Sequence, residues 1–166
     1  MLKYRNSSLK KNFIIKTVPN SREVIVKMDT TTLTLAEMVQ EAVDNKVWAL
    51  VGASTNPNKY GNIILHNLTN AGYTIYPINP RATEIDGIKT YPNLSALPEK
   101  PAVVNFVVPA KMSLPVLEEA ARLGIPTVWF QPGAESEENV RLAQELGFRV
   151  IFDACAMVAK GRRRWR

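Results

Sequence analysis

Three observations predict an α/β fold built on an open, doubly wound parallel sheet. Apolar, strand-like runs alternate with helix-like segments from Val47 onward. The runs are nearly unbroken, as in Val103-Val104-Asn105-Phe106-Val107-Val108, which is the pattern of strands covered on both faces. Each intervening helical segment stops at a glycine, Gly72, Gly124 or Gly147, a residue that accepts the left-handed conformation closing a helix. Alternation at these lengths means parallel pairing through right-handed crossovers. Sheets of this kind bind ligands at the carboxyl ends of their strands.

The elements follow in order. Residues 13–18 and 23–28 are rich in β-branched side chains and flank the turn-like Pro19-Asn20-Ser21-Arg22, so a hairpin is expected in an N-terminal extension over 1–33. Thr34 followed three residues later by Glu37 has capping-box spacing. Leu35, Met38, Val39, Ala42 and Val43 then recur at helical intervals. Strands are expected at 47–52, 73–78, 102–108, 126–130 and 148–152, with helices at 61–71, 113–123 and 136–146. Residues 79–101 read as a long loop with one short helix or strand, and a loop of that length beside a crevice is often functional. The domain proper is expected to span 34–161, followed by a basic tail over 162–166.

Composition narrows the class. The chain has 166 residues, 46% hydrophobic and 22% charged, enough for one domain with its own core. One cysteine, Cys155, excludes an internal disulfide framework and agrees with a reducing, cytoplasmic setting. No apolar run approaches the roughly 20 residues that a membrane span requires. The net charge of +6 is uneven: residues 1–46 carry +3, residues 47–159 carry −2 and residues 160–166 carry +5. The first 22 residues lack Asp and Glu, which loosely resembles a transit peptide, but they contain no secretory apolar segment. The tail reads first as a solvated, basic end. Its arginines with Trp165 would suit stacking on nucleic-acid bases, a weaker expectation because only one such patch exists.

The stretch from Val47 to Gly61 carries the chemistry. A short strand enters a turn rich in Gly, Ser, Asn and Pro and leaves as a helix. The orphan N–H groups and dipole of such a helix start attract phosphate. Of three comparable helix starts, the one near 136 carries Glu135, Glu137 and Glu138, which repel an anion. The one near 113 has Lys111 but no glycine. The one near 61 has Ser54, Thr55, Asn56, Asn58 and Lys59 and no acid, so it is the best phosphate seat. It is not a P-loop, since Gly-Lys-Ser/Thr is missing, and Gly52 lacks the second glycine of a dinucleotide fingerprint. The second strand ends Ile78-Asn79-Pro80-Arg81 without the acid that an NAD ribose needs. Arg81 there suits an extra ribose phosphate, as in NADP or coenzyme A; its plainer reading is an exposed loop charge.

Five motifs in order, Val51-Gly52-Ala53-Ser54 with Pro57 and Lys59-Tyr60-Gly61, then Gly72-Tyr73 with Tyr76-Pro77-Ile78-Asn79-Pro80, Val107-Val108-Pro109, Val128-Trp129-Phe130-Gln131-Pro132-Gly133, and Cys155-Ala156-Met157, resemble the small stand-alone CoA-binding proteins. These are similar to the N-terminal CoA-binding domain of the succinyl-CoA synthetase α subunit, and the resemblance covers about residues 35–163. It implies a Rossmann-like, five-stranded parallel sheet of order 3-2-1-4-5 and a ligand that is coenzyme A or an acyl-CoA. It implies that Gly52, Ser54, Thr55, Asn56 and Lys59 belong to the turn holding the pyrophosphate. Asn79, Pro80 and Arg81 would meet the 3′-phosphate, Val108 and Pro109 the adenine, and Gln131, Pro132 and Gly133 would wall the pantetheine arm.

No catalyst is visible beside this site. The only histidine, His66, lies inside the first Rossmann helix among Ile64, Leu65 and Leu68 and reads as a helix-surface or packing residue. One Cys and one His give no zinc spacing. Cys155 sits just past the last strand and reads first as a partly buried free thiol; a redox role toward the CoA thiol is the sharper alternative. The expectation is therefore a non-catalytic binding, carrier or sensing module, with an NADP-dependent or other nucleotide-using enzyme as the alternative. Neither a membrane nor a nucleic acid is expected as a partner.

Overall fold

The computed structural model describes residues 33–161 and the strand segments Ile14–Lys16 and Val24–Val26. The chain divides into two compact units, Met1–Leu33 and Thr34–Arg166. In the first, β1 (Ile14–Lys16) pairs antiparallel with β2 (Val24–Val26), Ile15 opposite Ile25. The expected hairpin is present there in three-residue strands, and the rest of its expected span lies outside the described residues.

The second unit begins with α1 (Leu35–Asp44), whose N-cap Thr34 and Glu37 form the anticipated capping box. Five parallel strands follow: β3 (Val47–Val51), β4 (Thr74–Ile78), β7 (Val103–Phe106), β8 (Thr127–Phe130) and β9 (Arg149–Ile151). Between β4 and β7 lie β5 (Glu84–Ile85), β6 (Ile88–Lys89) and a single 3-10 turn, Leu94–Ala96. The helices are α2 (Tyr60–Asn70), α3 (Ala110–Arg122), α4 (Glu137–Glu145) and the four-residue α5 (Ala156–Ala159).

The sheet runs β4-β3-β7-β8-β9. Tyr91 adds one parallel bridge to Ile78 on the outer side of β4, where a third strand of a Rossmann sheet belongs. Counting that bridge, the order reads 3-2-1-4-5, with β9 added at the far edge. Alternation within each strand divides the core in two. Trp48, Leu50, Ile75, Val103, Trp129 and Ile151 point to the side that packs with α1, α2 and α5. Ala49, Val51, Ile78, Val104, Phe106, Val128 and Phe130 point to the side of α3 and α4. Burial on both faces accounts for the unbroken apolar runs. Gly72, Gly124 and Gly147 all have positive φ, as helix-closing residues should.

Two local expectations differ. α3 starts three residues before 113, because Pro109 serves as its N-cap and the helix runs on through Pro115. Residues 79–101 are not one loop: β5 and β6 pair as a hairpin around Asp86 (φ 49) and Gly87 (φ 79), the two-residue turn that suits strand twist.

Candidate functional site

The end of β3 and the start of α2 are pressed together so closely that only glycines fit. A Cβ on Gly61 would stand 2.1 Å from the Gly52 carbonyl oxygen. A Cβ on Gly52, at φ +99, would stand 2.7 Å from Val108 Cγ1 and 2.8 Å from Val107 Cγ2. This contact aims the first turn of α2 at the rim of the sheet. The N-cap, Lys59, makes no side-chain cap, and the first turn contains no acid. No acid of the turn or of the helix itself therefore neutralises the positive end of α2.

Within the turn, side chains hold the turn's own backbone. Asn56 N–H donates to Ser54 Oγ at 3.1 Å, and Asn58 N–H donates to Asn56 Oδ1 at 2.9 Å. Lys59 N–H donates to the Asn56 carbonyl at 3.0 Å. Two further amides brace it from outside: Asn79 Nδ2 donates to the Ala53 carbonyl at 2.9 Å, and Asn62 Nδ2 to the Ser54 carbonyl at 2.9 Å. A trans peptide points its N–H opposite to its C=O. Pinning these two carbonyls thus directs the N–H groups of Ser54 and Thr55 the other way. Those two N–H groups, with those of Tyr60 and Gly61, have no acceptor among the described residues. Successive unpaired N–H groups beside a helix start make an anion-binding concavity.

The remaining expected residues lie on the same rim, since all follow carboxyl ends of parallel strands. Asn79 also accepts from Arg81 N–H at 2.8 Å, leaving Pro80 and the Arg81 side chain exposed after β4. Val108 touches Gly52 and Pro109 caps α3. Gln131 follows β8 but is 1% exposed. Its Nε2 donates to Asn105 Oδ1 at 2.9 Å and its Oε1 accepts from Ala156 N–H at 3.3 Å, so it fastens α5 to the sheet. Gly133 is exposed, and its N–H donates to Glu135 Oε2 at 2.8 Å. Cys155 caps α5, with its Sγ 3.3 Å from the Tyr60 hydroxyl. That contact, with some burial, pushes the Tyr60 phenol up to about 12.

Sequence reasoning missed Asn62, Asp86 and their link to His66. Asn62 Nδ2 also donates to Asp86 Oδ2 at 3.0 Å, and His66 Nε2 lies 2.8 Å from the same oxygen. The His66 and Asn62 hydrogen bonds hold the Asp86 carboxyl below the usual carboxylate range. The available signal was the Asp-Gly pair between Ile85 and Ile88, which marks a hairpin.

An open depression of about 470 Å³ lies at the opposite, amino-terminal edge, lined by Asn45, Lys46, Lys100, Pro101, Gly124 and Pro126. It adjoins no helix N-terminus. Among the described residues no group of three or more His, Cys, Asp or Glu side chains is poised to hold a metal.

The CoA binding domain family matches residues 46–161. The uncharacterized protein YneT of Bacillus subtilis is 31% identical over 124 residues, covering 75% of this chain and 92% of that protein. The ADP-forming acetate–CoA ligase I of Archaeoglobus fulgidus is 32% identical over 120 residues, covering 66% of this chain. The match spans 18% of that ligase. Among solved structures, a conserved hypothetical protein from Pyrococcus furiosus superposes with a TM-score of 0.65 at 48% identity, covering 68% of this chain and 97% of that one. A hypothetical protein from Pyrococcus horikoshii gives a TM-score of 0.72 at 35% identity, covering 77% and 90%.

Proposed function

This chain belongs to the CoA binding domain family, and on that premise we propose that it binds coenzyme A or an acyl-CoA as a non-catalytic binding, carrier or sensing module. The observation that carries this reading is the acid-free start of α2, fixed against β3 by Gly52 and Gly61 and flanked by outward N–H groups. It seats the diphosphate, with Ser54, Thr55, Asn56 and Lys59 around it. Asn79 and Pro80 set the path of the chain so that Arg81 meets the 3′-phosphate. Val108 and Pro109 lie beside the adenine. Gln131 and Gly133 belong to the wall along the pantetheine arm, Gln131 by holding α5 in place.

The non-catalytic part rests on how the reactive groups are paired. His66 meets Asp86 and Cys155 meets Tyr60, so the imidazole is not paired with the thiol as base and nucleophile. The ligase activity named for the longer relatives is not carried over. A cytoplasmic setting is part of the same proposal and rests on the lone thiol. No described helix is long and apolar enough to cross a membrane.

The test is titration calorimetry with CoA, dephospho-CoA and NADP, backed by native mass spectrometry of the purified protein. Wild type binds CoA, binds dephospho-CoA less well and does not exchange bound CoA for NADP. Lys59→Ala and Arg81→Ala each weaken CoA by about 1–3 kcal/mol, the scale of a lost charge-assisted contact. Arg81→Ala also shrinks the preference for CoA over dephospho-CoA. Unchanged affinity in both variants removes the site assignment, and binding of NADP without CoA replaces the function.

A further inference from the structure

The Ser54 turn is tied to a hairpin outside it by three side chains that the ligand reading leaves without a role. Asn62 is 3% exposed and divides its two amide hydrogens between the Ser54 carbonyl and the Asp86 carboxylate. With both donors engaged, Asn62 cannot rotate without abandoning a buried hydrogen bond. Asp86 sits at the tip of the β5–β6 hairpin in a left-handed conformation (φ 49), and His66 closes on it from one turn further along α2.

We propose that Asn62 is the positioning residue of the ligand turn, and that Asp86 and His66 hold it, so the hairpin sets CoA affinity without touching CoA. The proposal rests on the CoA reading above. The Ser54 carbonyl stays turned inward only while Asn62 stays aimed at it, and the Thr55 N–H faces the phosphate only while that carbonyl does. Asp86 fixes the aim of Asn62, and His66 fixes Asp86.

The charged group touching His66 is Asp86. Glu84 and Lys89 lie on the strands of the same hairpin, and Lys160 approaches α2 at the Asn67 carbonyl, 3.3 Å away. Neither β3 nor β4, which pack beneath α2, carries a charged residue.

The experiment measures the CoA dissociation constant of the full chain for wild type, Asn62→Ala, Asp86→Ala, Asp86→Asn and the double variant of Asn62→Ala with Asp86→Ala. Asp86→Asn keeps an oxygen that can accept from Asn62, and Asp86→Ala does not. Asn62→Ala weakens CoA about tenfold, the equivalent of one hydrogen bond. Asp86→Ala weakens CoA by about threefold to tenfold, Asp86→Asn restores most of that loss, and Asp86→Ala adds nothing once Asn62 is replaced. An Asp86→Ala protein that binds CoA like wild type overturns the latch, as does a folded Asn62→Ala protein that does so. Should Asn62→Ala fail to fold, the comparison of Asp86→Ala with Asp86→Asn decides alone. Wild type that binds no CoA overturns the function itself, a result distinct from both.

Discussion

At Gly61, a residue whose replacement by alanine ordinarily strengthens a helix meets a site where alanine has no room. In an exposed helix interior the change is worth roughly 1 kcal/mol in favour of alanine. Here the new methyl would stand 2.1 Å from a backbone carbonyl oxygen, and neither α2 nor β3 can yield cheaply. Gly61→Ala is therefore destabilising, by about 3 kcal/mol or more on the scale of overpacked cores. Thermal unfolding checks it, and an unchanged or raised midpoint contradicts the close approach. This pair of glycines was half legible in the sequence: Gly52 ends a strand and Gly61 starts a helix, but their contact across the turn belongs to the fold. The turn's composition was plain to read. Its two external braces were not, because Asn79 and Asn62 act from other elements.

The regular elements were legible because their periods are clear. Each predicted strand from 47 to 152 and each predicted Rossmann helix is present, with ends shifted by a few residues. Shorter pieces were lost for lack of length. A four-residue helix such as α5 displays no period, and the two-residue strands β5 and β6 show only the Asp-Gly between their isoleucines. That hairpin carries a prediction of its own. The folded-state depression of the Asp86 carboxyl, caused first by His66 and then by Asn62, favours the folded state above the ordinary Asp range. This contribution is complete above about pH 4 and is lost as pH falls through the lower, folded value. The gap in melting temperature between wild type and Asp86→Asn should thus narrow as pH falls from about 5 to about 2. A gap that stays constant contradicts the hydrogen-bonded carboxylate.

On the scale of the molecule, charge and core are segregated. Both core clusters lie wholly within residues 42–159, where the net charge is −2, while the excess of positive charge sits at the ends of the chain. A chain shortened to begin at Leu33 should fold cooperatively and bind CoA with unchanged affinity, since every proposed contact lies beyond that point. Circular dichroism with titration calorimetry checks this, and loss of binding would give the extension a direct role. The layering of helices on both faces could be read from unbroken apolar strands. Which residues pair across the rim could not, because partners such as Asn62 and Asp86 are 24 positions apart.

Trp48 and Trp129 stand 5.4 Å apart on one side of the sheet, while the opposite side places Phe106 against Phe130. To ultraviolet light the two halves of the core are therefore unequal. Once Trp165 is replaced by phenylalanine, excitation at the red edge of protein absorbance selects the side of α1, α2 and α5 and leaves the other dark. The Trp129 indole donates to the Ala154 carbonyl, one residue before the thiol that meets Tyr60. The emission of a Trp165→Phe protein is thus a gauge of how firmly α5 is seated, installed on the side where the proposed latch resides.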